Sequence, residues 1–196
     1  MAKSVVFICA FNKGRSVASE YILRHLLQKR DGKLAQQVKV SSAGLLIKQD
    51  IIYLKQYGSP APKPAFGKEC YGNLVKLLLK RGIDISGYRS KGLTKPIVEE
   101  ADLIIVSEEY PPVRKAAIST FWPFATDKVF TWREFVEAEV EGEYLPTEDP
   151  HPPSDGSASL DYTVEYWEQC LAEIEGYMVQ KMDKFLSFLG IPQPQG

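Results

Sequence analysis

Chemistry concentrates in a short stretch near the start of the chain, Cys9-Ala10-Phe11-Asn12-Lys13-Gly14-Arg15-Ser16, which sets a cysteine and an arginine six positions apart. An apolar run precedes it and a helical pattern follows, so these residues form a loop between a strand end and a helix start. Such a loop turns successive backbone N–H groups inward, and the helix dipole adds partial positive charge at the same point. An oxyanion such as phosphate fits there. Arg15 holds two of its oxygens through a planar fork that a lysine lacks. Cys9, beneath the anion, faces the same amides and dipole, which attract negative charge at its sulfur, and Ser16 adds a hydroxyl hydrogen bond. The thiol becomes a nucleophile. A buried structural thiol and a surface arginine would account for each residue singly, but not for both together in a strand, loop and helix context.

The elements that position this loop are readable from the apolar pattern. Val5-Val6-Phe7-Ile8-Cys9 is a continuous apolar run, as expected of a strand covered on both faces of a parallel sheet. Ser16 is expected as N-cap of a helix carrying Val17, Tyr21, Ile22 and Leu26, with Arg24, Lys29 and Arg30 suiting its C-terminal dipole and Gly32 stopping it. His25, on the same helix, reads as a packing or surface residue. Gln37 to Ser42 alternates around Val38 and Val40 and ends at Ser42-Ala43-Gly44, a second strand. Tyr71, Leu74, Val75, Leu78 and Leu79 predict an amphipathic helix ending at Gly82; Ala101 to Ser107 reads as a third strand and Lys128 to Trp132 as a weaker fourth. From Ser159, the stripe Leu160, Val164, Trp167, Leu171, Ile174, Met178, Met182, Phe185 and Leu189 predicts a long helix facing the core. Strands alternating with helices give a doubly wound α/β layer sandwich, whose ligand sites lie beyond the strand C-termini.

Composition narrows the function. With 196 residues the chain suits one domain, 1–196, with insertions near 45–67, where Gly58, Pro60, Pro62, Pro64 and Gly67 break regular structure, and near 133–148. Hydrophobic residues at 44% and charged residues at 25% match ordinary globular usage. Twenty-four Lys and Arg against twenty-five Asp and Glu leave a net charge of -1, so nucleic acid is not an expected partner. No apolar stretch is long enough to span a membrane. Cys9, Cys70 and Cys170 are odd in number and widely spaced, giving neither a disulfide framework nor a zinc pattern; the expectation is a cytoplasmic protein without metal or cofactor.

The sequence resembles the low-molecular-weight protein tyrosine phosphatase family, with its bacterial members and related arsenate reductases. The resemblance rests on the Cys9 to Ser16 loop, on Ser42-Ala43-Gly44, and on Gly82-Ile83-Asp84-Ile85-Ser86-Gly87-Tyr88-Arg89-Ser90. Ala101-Asp102-Leu103-Ile104-Ile105-Val106 and Asp149-Pro150 complete it, and the order of these motifs carries more weight than any one of them. It implies a three-layer sandwich around a four-stranded parallel sheet in order 2-1-3-4. It further implies Cys9 as nucleophile, Arg15 as phosphate clamp, Asp149 as general acid, and Asn12 holding the loop's shape with help from Ser42. Ala10, Phe11, Lys13, Gly14 and Ser16 complete the phosphate-binding loop. The expected substrate is a phosphorylated protein or small phosphomonoester, with phosphate or other oxyanions as ligands.

The chain departs from the family at several of these positions. Phe11 stands where Gly is usual, Gly14 where a second Cys is frequent, Val17 where Pro is usual, and Tyr88 where His is frequent. Without a neighbouring thiol at 14, Cys9 is expected to be sensitive to oxidation unless Cys70 or Cys170 reaches it. Val17 and Tyr88 are expected not to touch the core chemistry. His151-Pro152-Pro153 replaces an aromatic pair after the general acid, and Lys13 occupies a position that separates arginine from tyrosine phosphatases in the family. The glutamates at 134, 137, 139, 141, 143 and 148 read as a solvated face. Two other functions share the loop: arsenate reduction by a thiol relay, although Gly82 to Ser90 holds no cysteine, and a phosphate-binding module without turnover.

Overall fold

The computed structural model describes residues 2–45, 67–107, 113–136 and 163–192. Most of the two expected insertions, 46–66 and 137–148, and Asp149 to Pro153 lie outside the described residues.

Four parallel strands form the sheet: β1 (Lys3–Cys9), β2 (Val38–Gly44), β3 (Leu103–Val106) and β4 (Val129–Thr131), in order β2-β1-β3-β4. The helices are α1 (Arg15–Arg30), α2 (Gly32–Gln37), α3 (Gly72–Lys80), α4 (Lys95–Glu100), α5 (Val113–Phe121), α6 (Trp132–Val136) and α7 (Val164–Phe188), with a 3-10 turn over Pro123–Lys128. The expected three-layer architecture and strand order are both present.

The pleat of β1 explains the layers. Its odd residues, Val5 and Phe7, join Val38, Val40, Leu103 and Ile105 in a core with α1, α3, α6 and α7. Its even residues, Val6 and Ile8, join Ala43, Ile104, Val106 and Val129 in a second core with α4, α5 and the 3-10 turn. A strand apolar on both faces sits at the sheet centre because both faces are covered. Register then places Phe7 beside Ser42 and Cys9 beside Gly44. Ser42 therefore faces α1 at the carboxyl end of the sheet.

Local chemistry shifts several expected boundaries. Gly14, not Ser16, is the N-cap of α1, and its carbonyl accepts from Ala18 N–H. Ser16 lies inside the first turn with its hydroxyl engaged elsewhere. Asp31, not Gly32, closes α1, and its carboxylate accepts from Lys33 N–H to start α2, so one residue ends one helix and begins the next. The third strand is shorter than its apolar run, and Asp102 just before it tethers the start of β1: its carboxylate accepts from Ser4 N–H at 2.8 Å and Lys3 Nζ at 3.0 Å. The fourth strand ends at Thr131, where α6 begins. The last helix buries Trp167, Leu171, Ile174, Met178, Met182 and Phe185 as expected, while Val164 is partly exposed and Leu160 lies outside the described residues. Gly82 ends the α3 region with φ +77°, a left-handed turn that glycine adopts without steric cost.

Candidate active site

The loop from Cys9 to Gly14 leaves β1 between its two neighbours, and each neighbour holds it. Leu45 N–H donates to the Cys9 carbonyl at 2.8 Å and Ser107 N–H to the Ile8 carbonyl at 2.7 Å. Tyr71 N–H donates to the Lys13 carbonyl at 3.2 Å, which ties the segment before α3 to the loop. Cys9, Ala10, Phe11, Lys13, Gly14 and Arg15 thus surround a small recess, with Tyr71 and Trp167 as its remaining walls. The first turn of α1 opens onto this recess, so the positive end of the helix dipole lies there.

At its floor the Cys9 sulfur lies 3.0 Å from Ser16 Oγ. Asn12 organises what lies beneath. It adopts φ +53°, a left-handed conformation that asparagine tolerates better than most residues. Its Nδ2 donates to Ser16 Oγ at 3.0 Å and to Ser42 Oγ at 2.9 Å, and its Oδ1 accepts from Tyr88 Oη at 2.6 Å and Lys91 N–H at 2.9 Å. The amide is fully buried with every donor and acceptor site used, which fixes the loop conformation in one arrangement.

Tyr88 is therefore part of the loop's support, contrary to the sequence expectation. It is delivered by the segment 83–93, which runs beside the end of β2: Gly44 N–H donates to the Lys91 carbonyl and Leu93 N–H to the Gly44 carbonyl. Glu20 is a second residue that pattern reading missed. It is 2% exposed, one helical turn beyond Ser16, with Oε2 2.6 Å from Ser42 Oγ and Oε1 2.7 Å from Arg24 Nη2. Burial pushes its carboxyl above the ordinary value, against the opposing pull of the Ser42 hydrogen bond, Arg24 and Lys91. Burial likewise raises Tyr88. The only trace of Glu20 in the sequence is its spacing from Arg24, which reads equally as a surface pair.

Gly14 explains the loss of a side chain at its position. A Cβ there would lie 2.5 Å from Trp167 Cη2 and 3.2 Å from Tyr71 Cδ2. The indole of Trp167 fills the space that a larger residue would take, and it is itself packed by Tyr71 and Tyr166 with ring centroids 5.7 and 5.1 Å away. Lys13 Nζ sits 4.5 Å from the Tyr71 ring centroid, a cation held against an aromatic face at the rim. Phe11, 39% exposed, forms part of the same rim. Arg15 is 6% exposed, anchored at the start of α1.

The three cysteines are free thiols. Burial pushes Cys70 up to about 12, with the neighbouring Cys9 charge adding to the effect. Burial also pushes Cys170 up to about 12, against the attraction of Arg15. His25 is half-buried on α1, away from the residues that line the recess. Among the described residues no helix is long and apolar enough to cross a membrane.

No family model matches the sequence, and no curated protein matches it. Solved structures do. A low-molecular-weight protein tyrosine phosphatase from T. tengcongensis is 27% identical, with a TM-score of 0.66 over 93% of this chain and 99% of the other. The YwlE arginine phosphatase from Geobacillus stearothermophilus is 22% identical, with a TM-score of 0.63 over 94% of each chain. Wzb from Vibrio vulnificus, in complex with benzylphosphonate, is 18% identical, with a TM-score of 0.61 over 94% of this chain and 99% of the other. With that sheet order and these likenesses over nearly the full length, the chain has the fold of the low-molecular-weight protein tyrosine phosphatases and is similar to hydrolases of that kind.

Proposed function

We propose that the chain is a protein tyrosine phosphatase that works through a phosphocysteine intermediate on Cys9. The observation that carries this reading is the Cys9 sulfur 3.0 Å from the Ser16 hydroxyl, at the floor of a recess bounded by the loop that ends in Arg15. Asn12 Nδ2 donates to Ser16, which leaves the Ser16 proton for the sulfur. A sulfur so placed attacks phosphorus in line, and Arg15 with the loop amides stabilises charge on the equatorial oxygens as it builds. Asp149 protonates the leaving oxygen and then takes a proton from the water that hydrolyses the intermediate. Asp149 holds this role by the sequence resemblance, since it lies outside the described residues.

The rim favours an aryl phosphate. Phe11, Tyr71 and Trp167 give the recess aromatic walls, and the Lys13 ammonium beside Tyr71 disfavours a cationic guanidinium such as that of phosphoarginine. A thiol relay to arsenate is less well supported, because Cys70 and Cys170 are both pushed up to about 12 and so are protonated near neutrality. The chain is read as a single domain acting in the cytoplasm, where its three thiols stay reduced.

The test is turnover across phosphotyrosine, phosphoserine and phosphoarginine peptides. Phosphotyrosine is expected to be the preferred substrate, with Cys9→Ser abolishing phosphate release and Asp149→Asn slowing it by about two to four orders of magnitude. Wild-type protein that releases no phosphate from any of them overturns the reading.

A further inference from the structure

The protons around Ser42 do not balance unless one comes from Glu20. Lys91 N–H only donates, so the Asn12 atom facing it at 2.9 Å is the carbonyl oxygen, and Nδ2 is turned to Ser16 and Ser42. That oxygen only accepts, so Tyr88 places its single phenolic proton on it, at 2.6 Å. The 3.0 Å contact between Ser42 Oγ and Tyr88 Oη then takes the Ser42 proton. For the 2.6 Å contact between Ser42 Oγ and Glu20 Oε2, only a proton on the carboxyl itself remains. Were Glu20 ionised, Ser42 would donate to it, and two oxygens without a proton between them would face each other at 3.0 Å in a part-buried place.

We propose that Glu20 is a protonated positioning residue: its carboxylic acid donates to Ser42, Ser42 to Tyr88 and Tyr88 to Asn12. This one-way chain fixes the Asn12 amide, which through Ser16 aims a hydroxyl proton at the Cys9 sulfur. That it serves phosphoryl transfer rests on the function proposed above.

The surroundings agree. Glu20 is faced by Arg24 and Tyr21 on α1, by Ser42 on β2, by Tyr88 and Lys91 from the segment after α3, and by Cys70 ahead of α3. Burial raises its carboxyl despite the two cations. Arg24 does not require a carboxylate, because Oε1 accepts from its Nη2 while Oε2 carries the proton. The Arg24 guanidinium also donates to the Val40 carbonyl through Nε and Nη2, and its side chain is 47% exposed.

Infrared spectroscopy of the full chain at neutral pH tests the proton directly. The expected result is a protonated-carboxyl stretching band that is absent from Glu20→Gln and disappears as pH rises. A spectrum with no such band, or one whose band persists in Glu20→Gln, overturns the proposal. Tyr88→Phe frees the Ser42 proton for Glu20, so the band is expected to vanish at lower pH in that variant; an unmoved titration overturns it. Inorganic phosphate binding supplies a readout without turnover. The amide of Glu20→Gln donates to Ser42 and accepts from Arg24 as the acid does, so its phosphate affinity is expected to lose the wild-type weakening at high pH. Glu20→Ala is expected to weaken phosphate binding about tenfold. Equal damage by Gln and Ala means that the charge, not the donor, matters, and overturns the proposal. A chain that shows the band and the binding pattern but hydrolyses no phosphoester refutes the function proposed above and leaves the role of Glu20 standing.

Discussion

Gly14→Ala is expected to destabilise the protein through one contact. The added methyl would sit 2.5 Å from Trp167 Cη2, 3.1 Å from Cζ2 and 3.2 Å from Tyr71 Cδ2, all closer than ordinary van der Waals separation. Relief requires the indole to shift by about an ångström, and Trp167 is 1% exposed, wedged between Tyr71 and Tyr166. Overpacking of this kind costs about 1–3 kcal/mol. For a chain of this size that corresponds to a fall in midpoint of about 2–12 °C, readable by thermal unfolding. The double variant Gly14→Ala with Trp167→Phe removes both indole atoms in the closest contacts. It should therefore show a coupling of about 1 kcal/mol or more relative to the two single changes. Additive effects, or a Gly14→Ala protein as stable as the parent, would refute the account of why a glycine stands there.

Two further outcomes involve pH. At pH 8 a thiol pushed up to about 12 is ionised in only about one molecule in ten thousand, so Cys70 and Cys170 of the Cys9→Ser protein should resist iodoacetamide until unfolded or until pH approaches 12. Labelling of either at the rate of a free peptide thiol would contradict their burial. Burial acts to raise Asp102, but the Ser4 N–H and the Lys3 ammonium outweigh it and hold the carboxyl below its ordinary value. A depressed carboxyl stabilises the fold above the unfolded value and loses that contribution as pH falls through the folded one. Asp102→Asn should accordingly be less stable than the parent at pH 7 and match it near pH 2 by urea unfolding; a gap that is constant with pH would exclude the electrostatic tether.

The loop and the sheet were legible because their signals are local. A continuous apolar run, a Cys and an Arg at fixed spacing and an adjoining helical pattern all fall within the first thirty residues. The four strands follow from apolar runs, with boundaries off by one or two residues. The support beneath the loop was not legible in the same way. Ser16 looks like a helix cap, and its real partners are Cys9 and Asn12. Tyr88 looks like a neutral replacement in a surface segment, and only the pairing of residues 91–93 with Gly44 brings it to Asn12. Glu20 and Arg24 have the spacing of an exposed ion pair, yet β2 covers the carboxyl group. Tyr71 and Trp167 belong to apolar stripes and to the core those stripes build, while their outer edges also bound the recess. These are contacts between distant segments, and spacing along one segment does not encode them.

Trp167 also dictates when the recess around Cys9 is complete. Cys9 is made before the indole that walls it in, which belongs to α7, more than 150 positions later. A strand at the middle of the sheet must likewise wait for β3 before its second edge is paired. Contacts so far apart in sequence form slowly. A chain made only as far as β3 therefore carries its sulfur without a finished recess around it, and the recess is complete only once α7 has docked.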